Sequence, residues 1–338
     1  MAASLKGVPH MGYRVLVTAS RIAATAIRRL EDFGATLEFL PDALGEDMLV
    51  AAVAKAPLDA ILMRNNPPIG PRLFAAAPQL RVIAKHGAGY DSVDLAAATA
   101  AGVPVLIATG ANAYSVAEHA VALIFALGRD VVRLDARVKA GAWDKWHYTG
   151  RELRGRTLGL VGFGAIARHT AKLAAALGLD VQAYSRRIEA IDPALARPVA
   201  TLDELYATSD ILSLHCPLVP ETRGMINAAS LKRLKPGALL INTARGGLID
   251  EAAVTAALTD GTLAGAALET FAKEPPDPAN PLFKAPNLIV SPHIGAHTES
   301  AEEAMGLMAA DNIIRVLSGG VPDAANLVNP TYDRHGGA

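Results

Sequence analysis

The stretch Thr157 to Arg187, TLGLVGFGAIARHTAKLAAALGLDVQAYSRR, constrains this chain more than any other. Thr157 to Val161 is an apolar run of the kind a strand buried on both faces requires. Gly162, Gly164 and Ala167 follow as G-x-G-x-x-A, Ala165 to Leu177 has helical composition, Gly178 is a stop, and Val181 to Tyr184 reads as a second strand. This strand–turn–helix–strand frame is the one in which a glycine turn holds a dinucleotide. Gly162 allows the tight turn, Gly164 lets the backbone approach a pyrophosphate, and Ala167 lets the helix lie close on the strand. The helix start, with Ala165 and Ile166, offers free N–H groups and partial positive charge to phosphates. Past the second strand, where an NAD site carries an acid for the ribose hydroxyls, stand Ser185, Arg186 and Arg187. No carboxylate repels a 2′-phosphate there, and two guanidiniums can grip one. NADP(H) is therefore expected ahead of NAD, which stays possible.

Composition sets the outer limits. A length of 338 residues suggests two domains, and 51% apolar with 19% charged residues supports substantial cores rather than disorder. A net charge of −1 recruits neither nucleic acid nor an anionic membrane. The single cysteine, Cys216, excludes an internal disulfide and fits a reducing compartment. The start has no secretory pattern, and Arg or Asp interrupts every long apolar run. A soluble, cytoplasmic protein without a metal site is expected.

From Arg14 the chain alternates strand and helix: RVLVT, Arg21 to Phe33, ATLEFL, Asp47 to Lys55, AILMRN, a proline-rich turn with a short helix, RVIAKH, Val93 to Ala101, then VPVLIAT as a fifth strand. Residues 1–12 read as a loose tail. Repeated βα units imply a parallel, doubly wound sheet, with ligands beyond the strand carboxyl ends. Arg64 to Asn66 and His86 to Tyr90 fall in such loops. One helical stretch is expected over Tyr114 to Ala140, with Ser115 and Glu118 as a capping box. Residues 143–156 read as a polar and aromatic loop. Alternation then resumes to LIVSPHIG and a last helix, Ser300 to Leu317, with a polar tail behind it. Two nucleotide-type α/β folds in tandem are expected. The second is inserted in the first, to which the last helix can return.

The motifs KHGAGYDSVD, NAYSVAEHA, VGFGAIA, HCPLVPETRGMI, NTARGGLIDE, AALETFAKEP and SPHIG fall in one order from about Arg14 to Pro330. Together they resemble the D-isomer-specific 2-hydroxyacid dehydrogenases. The resemblance implies a dinucleotide-binding domain over 105–297, of Rossmann kind, and a flavodoxin-like substrate domain made of 1–104 and 298–338. It implies dimerisation through the long helix and the loop after it. It also implies a catalytic set of Arg245, Glu274 and His293. A guanidinium at a strand carboxyl end can bind a 2-oxo acid's carboxylate and polarise its carbonyl. An imidazole can protonate the carbonyl oxygen, and a carboxylate beside it holds its tautomer. The backbone N–H groups of Ala88 and Gly89 match the family's loop for the substrate carboxylate. His215, Cys216, Pro217, Thr222, Thr243, Ala244, Glu269, His293 and Gly295 match positions along the cofactor. Cys216 there is expected to pack rather than react. The family usually has Asp where this chain has Glu269, a group that meets the nicotinamide amide.

These readings predict a reductase of small 2-oxo acids, with glyoxylate or hydroxypyruvate foremost. A 3-phosphoglycerate dehydrogenase using NAD is the nearest alternative, with Arg64 and Lys85 available for a distal phosphate. Against it, the chain ends soon after residue 330, before the regulatory domain that many such enzymes carry. A cofactor-sensing corepressor-type binding protein is the more distant alternative, with no partner-binding extension and no basic stripe to favour it.

Overall fold

A computed structural model describes residues 12–65 and 67–333. The loose tail expected over 1–12 lies, Gly12 apart, outside the described residues, as do Asn66 and the last five residues of the polar tail. The chain divides into two compact units. One takes the described residues up to Asn112 and from Thr298 onward, and the other is Ala113–His297.

The first unit carries β1 (Tyr13–Val17), α1 (Ala24–Asp32), β2 (Ala35–Phe39), α2 (Glu46–Val53), β3 (Ala60–Met63), α3 (Pro71–Ala76), β4 (Val82–Lys85), α4 (Leu95–Ala100) and β5 (Val105–Leu106). The strands form one parallel sheet in the order β2-β1-β3-β4-β5. Side chains alternate across it. Leu16, Ile61, Met63 and Ile83 enter one core, while Val15, Val17, Leu62 and Ala84 enter the other. Both faces are covered, so the strands read as unbroken apolar runs. The fifth strand is shorter than VPVLIAT suggests, because the Ile107 N–H bonds to Asn326 O at 2.9 Å instead of a strand.

The second unit begins with α5 (Ala113–Gly128) and α6 (Val131–Lys139), which correct the expectation of one helix. Asp130, at φ 55, breaks the path between them. Aspartate tolerates this left-handed conformation better than most residues. The two helices also differ in packing: α5 buries ten residues and α6 none. Ser115 lies within the first turn of α5 and is buried, so it does not cap the helix. The parallel strands are β6 (Thr157–Val161), β7 (Asp180–Tyr184), β8 (Arg197–Pro198), β9 (Ile211–Leu214), β10 (Ala238–Asn242), β11 (Leu263–Leu268) and β12 (Leu288–Val290). Their helices are α7 (Ala165–Ala176), α8 (Leu202–Thr208), α9 (Ala228–Leu231) and α10 (Glu251–Thr259). The sheet order is β12-β11-β10-β9-β6-β7-β8, so the winding reverses between β6 and β9. The last helix, α11 (Glu299–Leu317), joins the first unit, where Ala309, Ala310 and Ile313 share a core with Val15, Val17 and Leu30. No helix of the described residues is long and apolar enough to cross a membrane.

Candidate active site

A parallel sheet aligns all its carboxyl ends at one edge, and a reversal of winding opens a crevice there. In the second unit every proposed site residue follows such an end. Gly162 to Ile166 follow β6, Ser185 to Arg187 follow β7, and His215 to Thr222 follow β9. Thr243 to Arg245 follow β10, Glu269 and Glu274 follow β11, and His293 and Gly295 follow β12. Ala88 and Gly89 follow β4 in the first unit.

At the reversal, Gly162 has φ 94, and a side chain there would meet the His215 carbonyl oxygen at 2.7 Å. The β6 and β9 loops therefore touch only because residue 162 is glycine. A side chain on Gly164 would meet nothing within 4 Å, so space is open above the first turn of α7. Ala165 is exposed, whereas Ala167 is fully buried against the strand. Past β7, Arg187 N–H donates to Ser185 Oγ at 3.3 Å. Arg186 and Arg187 are exposed, and neither joins an ion pair among the described residues. Thr222 Oγ1 donates to Pro217 O at 2.7 Å and accepts from Val219 N–H at 2.9 Å, which closes the loop after β9.

Burial pushes the His215 imidazole down to about 4, and its Nε2 lies 2.9 Å from Ser213 Oγ. The Cys216 thiol is pushed up to about 11 by burial, with Met225 Sδ 3.8 Å away. A protonated, packed thiol is a poor nucleophile.

Asn242, buried at the end of β10, shapes the next loop. Its Oδ1 accepts from Ala244 N–H at 3.1 Å, and its Nδ2 donates to Arg245 O at 2.9 Å. Gly246 then passes so close to Phe271 that any Cβ would overlap the Phe271 carbonyl. This contact brings the loop of Arg245 against the segment of Glu269 and Glu274. Neither Asn242 nor Gly246 stands out in the sequence; the ARGG run carries the only hint.

The Glu274 carboxylate is gripped from two sides. Oε1 accepts from Phe271 N–H at 3.0 Å, and Oε2 lies 2.8 Å from His293 Nδ1. Burial raises this carboxyl. The hydrogen bond and charge of His293, the Phe271 N–H and the positive charge of Arg245 outweigh that and hold it below the ordinary carboxylate range. His293 itself has φ 55, a conformation that favours glycine. Its imidazole is 44% exposed, so the nitrogen not facing Glu274 can be reached. A cavity of about 430 Å³ beside this pair is lined by Glu269, Glu274 and His293 together with Phe271, Phe283 and Val290.

Thr243 Oγ1 and Thr270 Oγ1 are buried at the ends of β10 and β11 without a hydrogen-bond partner. A buried hydroxyl left unpaired is costly, and a polar ligand group would relieve it. With the open space above Gly164 and the unpaired arginines past β7, the edge suits a dinucleotide along β6, β7, β9 and β10. Among the described residues no group of three His, Cys, Asp or Glu is placed to hold a metal.

A doubly wound parallel sheet with a glycine turn at its winding reversal, and Arg245, Glu274 and His293 along the same edge, is the arrangement of a dinucleotide-binding fold. The model of the D-isomer specific 2-hydroxyacid dehydrogenase NAD binding domain matches residues 121–295. A D-3-phosphoglycerate dehydrogenase of Mycobacterium tuberculosis is 38% identical over 94% of this chain and 60% of its own length. The chain thus spans about 60% of that relative. A glyoxylate reductase of Thermofilum pendens is 40% identical over 80% of this chain and 81% of its own. The crystal structure of a Thermus thermophilus protein superposes with a TM-score of 0.85 at 36% identity, covering 93% of this chain and 99% of that one. The chain belongs to the D-isomer-specific 2-hydroxyacid dehydrogenase family.

Proposed function

We propose that the protein reduces small 2-oxo acids to D-2-hydroxy acids with a nicotinamide cofactor, NADPH ahead of NADH, with glyoxylate or hydroxypyruvate as substrate. The observation that carries the reading is the His293–Glu274 pair at 2.8 Å, on a loop set that also holds Arg245. Arg245 binds the substrate carboxylate and draws electron density from the carbonyl. His293 donates a proton from its exposed nitrogen to the carbonyl oxygen and withdraws it in the reverse direction. Glu274 fixes the imidazole's orientation and tautomer through Nδ1. Ala88 and Gly89 stay as proposed backbone contacts of the substrate carboxylate. The nicotinamide, when bound, supplies the hydride.

Gly162, Gly164, Ala165 and Ile166 hold the pyrophosphate in this reading, and Thr243 offers its hydroxyl. The preference for NADPH rests on Arg186 and Arg187, which have no carboxylate partner among the described residues to neutralise them. Replacing both with alanine is expected to raise KM for NADPH about 10- to 100-fold and leave that for NADH within about threefold. An unaltered ratio would reject the preference.

The choice of an unphosphorylated substrate rests on the first unit. Arg64 is ion-paired to Glu302 at 2.8 Å and donates to Arg21 O, while Lys85 is 1% exposed. Neither is a free cation waiting for a phosphate. The identity with a D-3-phosphoglycerate dehydrogenase favours the second reading, NAD-linked oxidation of 3-phosphoglycerate. Initial rates with glyoxylate, hydroxypyruvate, pyruvate and 3-phosphohydroxypyruvate, each with NADPH and NADH, separate the two. Preference for NADH with the phosphorylated acid would replace the first reading by the second. Bound nucleotide without turnover on any acid would point to a binding protein.

The reading includes a homodimer in the cytoplasm. Trp143 and Trp146, 68% and 76% exposed after the wholly unburied α6, support the first part, and the single cysteine supports the second.

A further inference from the structure

Glu269 is 2% exposed, directly after the apolar strand β11. A carboxylate so deeply buried must be bonded, because an isolated buried charge is very costly. The backbone partners of the carboxylate itself both belong to the segment after β12. Oε1 accepts from the Ile294 N–H at 2.7 Å and also from the Gly295 N–H. The main-chain oxygen of the same residue accepts from the His293 N–H at 3.1 Å. Three consecutive N–H groups, beginning at His293, therefore bond to one residue. With His293 in the left-handed conformation, the amides of 294 and 295 converge as in an anion-binding nest, and the resident anion is a side chain of the protein.

Two further features belong to this arrangement. A Cβ on Gly295 would stand 2.5 Å from Glu269 Oε2, so any side chain there would push the carboxylate from this position. From α5, His119 places Nε2 3.5 Å from Glu269 Oε1 and 3.1 Å from Ser291 Oγ. The imidazole thus bridges the carboxylate and the residue two before His293.

We propose that Glu269 is a positioning residue for His293, and that His119 and Ser291 brace it. On this view Oε1 is engaged by the turn rather than reserved for the nicotinamide amide. The chemical reason is geometric. His293 lies in a loop with a backbone conformation unfavourable to it, and proton transfer tolerates little misplacement. A charge-assisted pair of hydrogen bonds to the two following amides holds that conformation without touching the reacting atoms. The catalytic part of this inference rests on the reductase reading above, whereas the clasp does not.

The experiment pairs amide NMR of the whole protein with kinetics on Glu269→Gln. In the wild type the Ile294 and Gly295 amide protons are expected well downfield, as hydrogen bonds to a carboxylate make them, and the substitution should move both upfield. With a turned-over 2-oxo acid and NADPH, kcat is expected to fall about 10- to 100-fold. KM for the acid and the dissociation constant for NADPH should stay within about threefold. Ordinary shifts for both amides in the wild type would overturn the proposal without any variant being made. Wild-type kcat in Glu269→Gln would overturn it too, as would a loss confined to NADPH affinity, which would make Glu269 a cofactor contact. If Glu269→Gln does not fold, Glu269→Asp keeps the charge but is a methylene shorter. It should show the same upfield movement with a partial loss of kcat, and unchanged amides and kcat would again overturn the proposal. Absence of wild-type turnover with downfield amides would reject the reductase reading and leave the clasp standing.

Discussion

Each unit of the molecule holds an arginine, a glutamate and a histidine together, and the two sets behave differently. In the first unit Arg64, Glu302 and His86 close on one another. Arg64 meets Glu302 at 2.8 Å, His86 Nε2 lies 3.8 Å from the same carboxylate, and the His86 side chain is 2% exposed. Burial holds His86 below its ordinary range despite the pull of Glu302. In the second unit Arg245, Glu274 and His293 come from three different strand ends, and the His293 side chain is 44% exposed. The Glu274 carboxylate lies 2.8 Å from His293 Nδ1 and also feels the positive charge of Arg245. Identical residue types thus form a buried internal fastening in one place and, in the other, an accessible pair to which we assign proton transfer. The exposure of the imidazole, 2% for His86 against 44% for His293, separates the two.

The sharpest way to break this comparison is to remove each histidine's or glutamate's function in turn. His293→Ala should lower kcat about 10²- to 10⁴-fold while the melting temperature barely changes. Rates within tenfold of wild type would remove His293 from the proton-transfer role. Glu274→Gln keeps a hydrogen-bond acceptor but loses the charge, and kcat should fall about 10- to 100-fold, measured with saturating acid. In the first unit the balance of effects reverses. Glu302→Ala should destabilise the fold by about 2–4 kcal/mol in chemical denaturation, because it strands a largely buried guanidinium. Its kcat should stay within a few-fold of wild type. A variant as stable as wild type would mean the cluster is not a fastening.

The smallest expected effect is a pH dependence that belongs to neither cluster. His215 binds its proton at about 4 in the fold, against an ordinary value of 6.5. Between those values the unfolded chain holds the proton more tightly, so stability is full above pH 6.5 and falls as pH drops through the window. The loss is about 2 kcal/mol by roughly pH 5, and it levels off below the folded value. His215→Asn should flatten that slope in denaturation curves taken across the window. A slope that persists in the variant would assign it to other groups.

Much of this architecture was legible in the chain. The apolar strands, their helical partners and the glycine turn at Gly162 follow from local pattern, because backbone conformation and side-chain alternation act over a few residues. Arg245, Glu274 and His293 stood out as candidates through motifs at strand ends, and the fold joins the last two at 2.8 Å. The break at Asp130 was not, since helical composition runs through it and only burial, extensive along α5 and absent along α6, separates the two. Ser115 failed as a cap for the same reason: the helix begins where burial starts, at Ala113.

What the sequence determined alone was the order of elements, the dinucleotide turn and the residue types available for chemistry. The tertiary structure decided their pairing. Arg64 meets Glu302 across 238 positions, and Glu269 reaches the Ile294 N–H across 25. Such pairings depend on which chain segments the sheet order brings together and how deeply each carboxylate is buried. Burial makes an unpaired charge costly, so the final partner of each charged side chain is set by what lies within reach after folding.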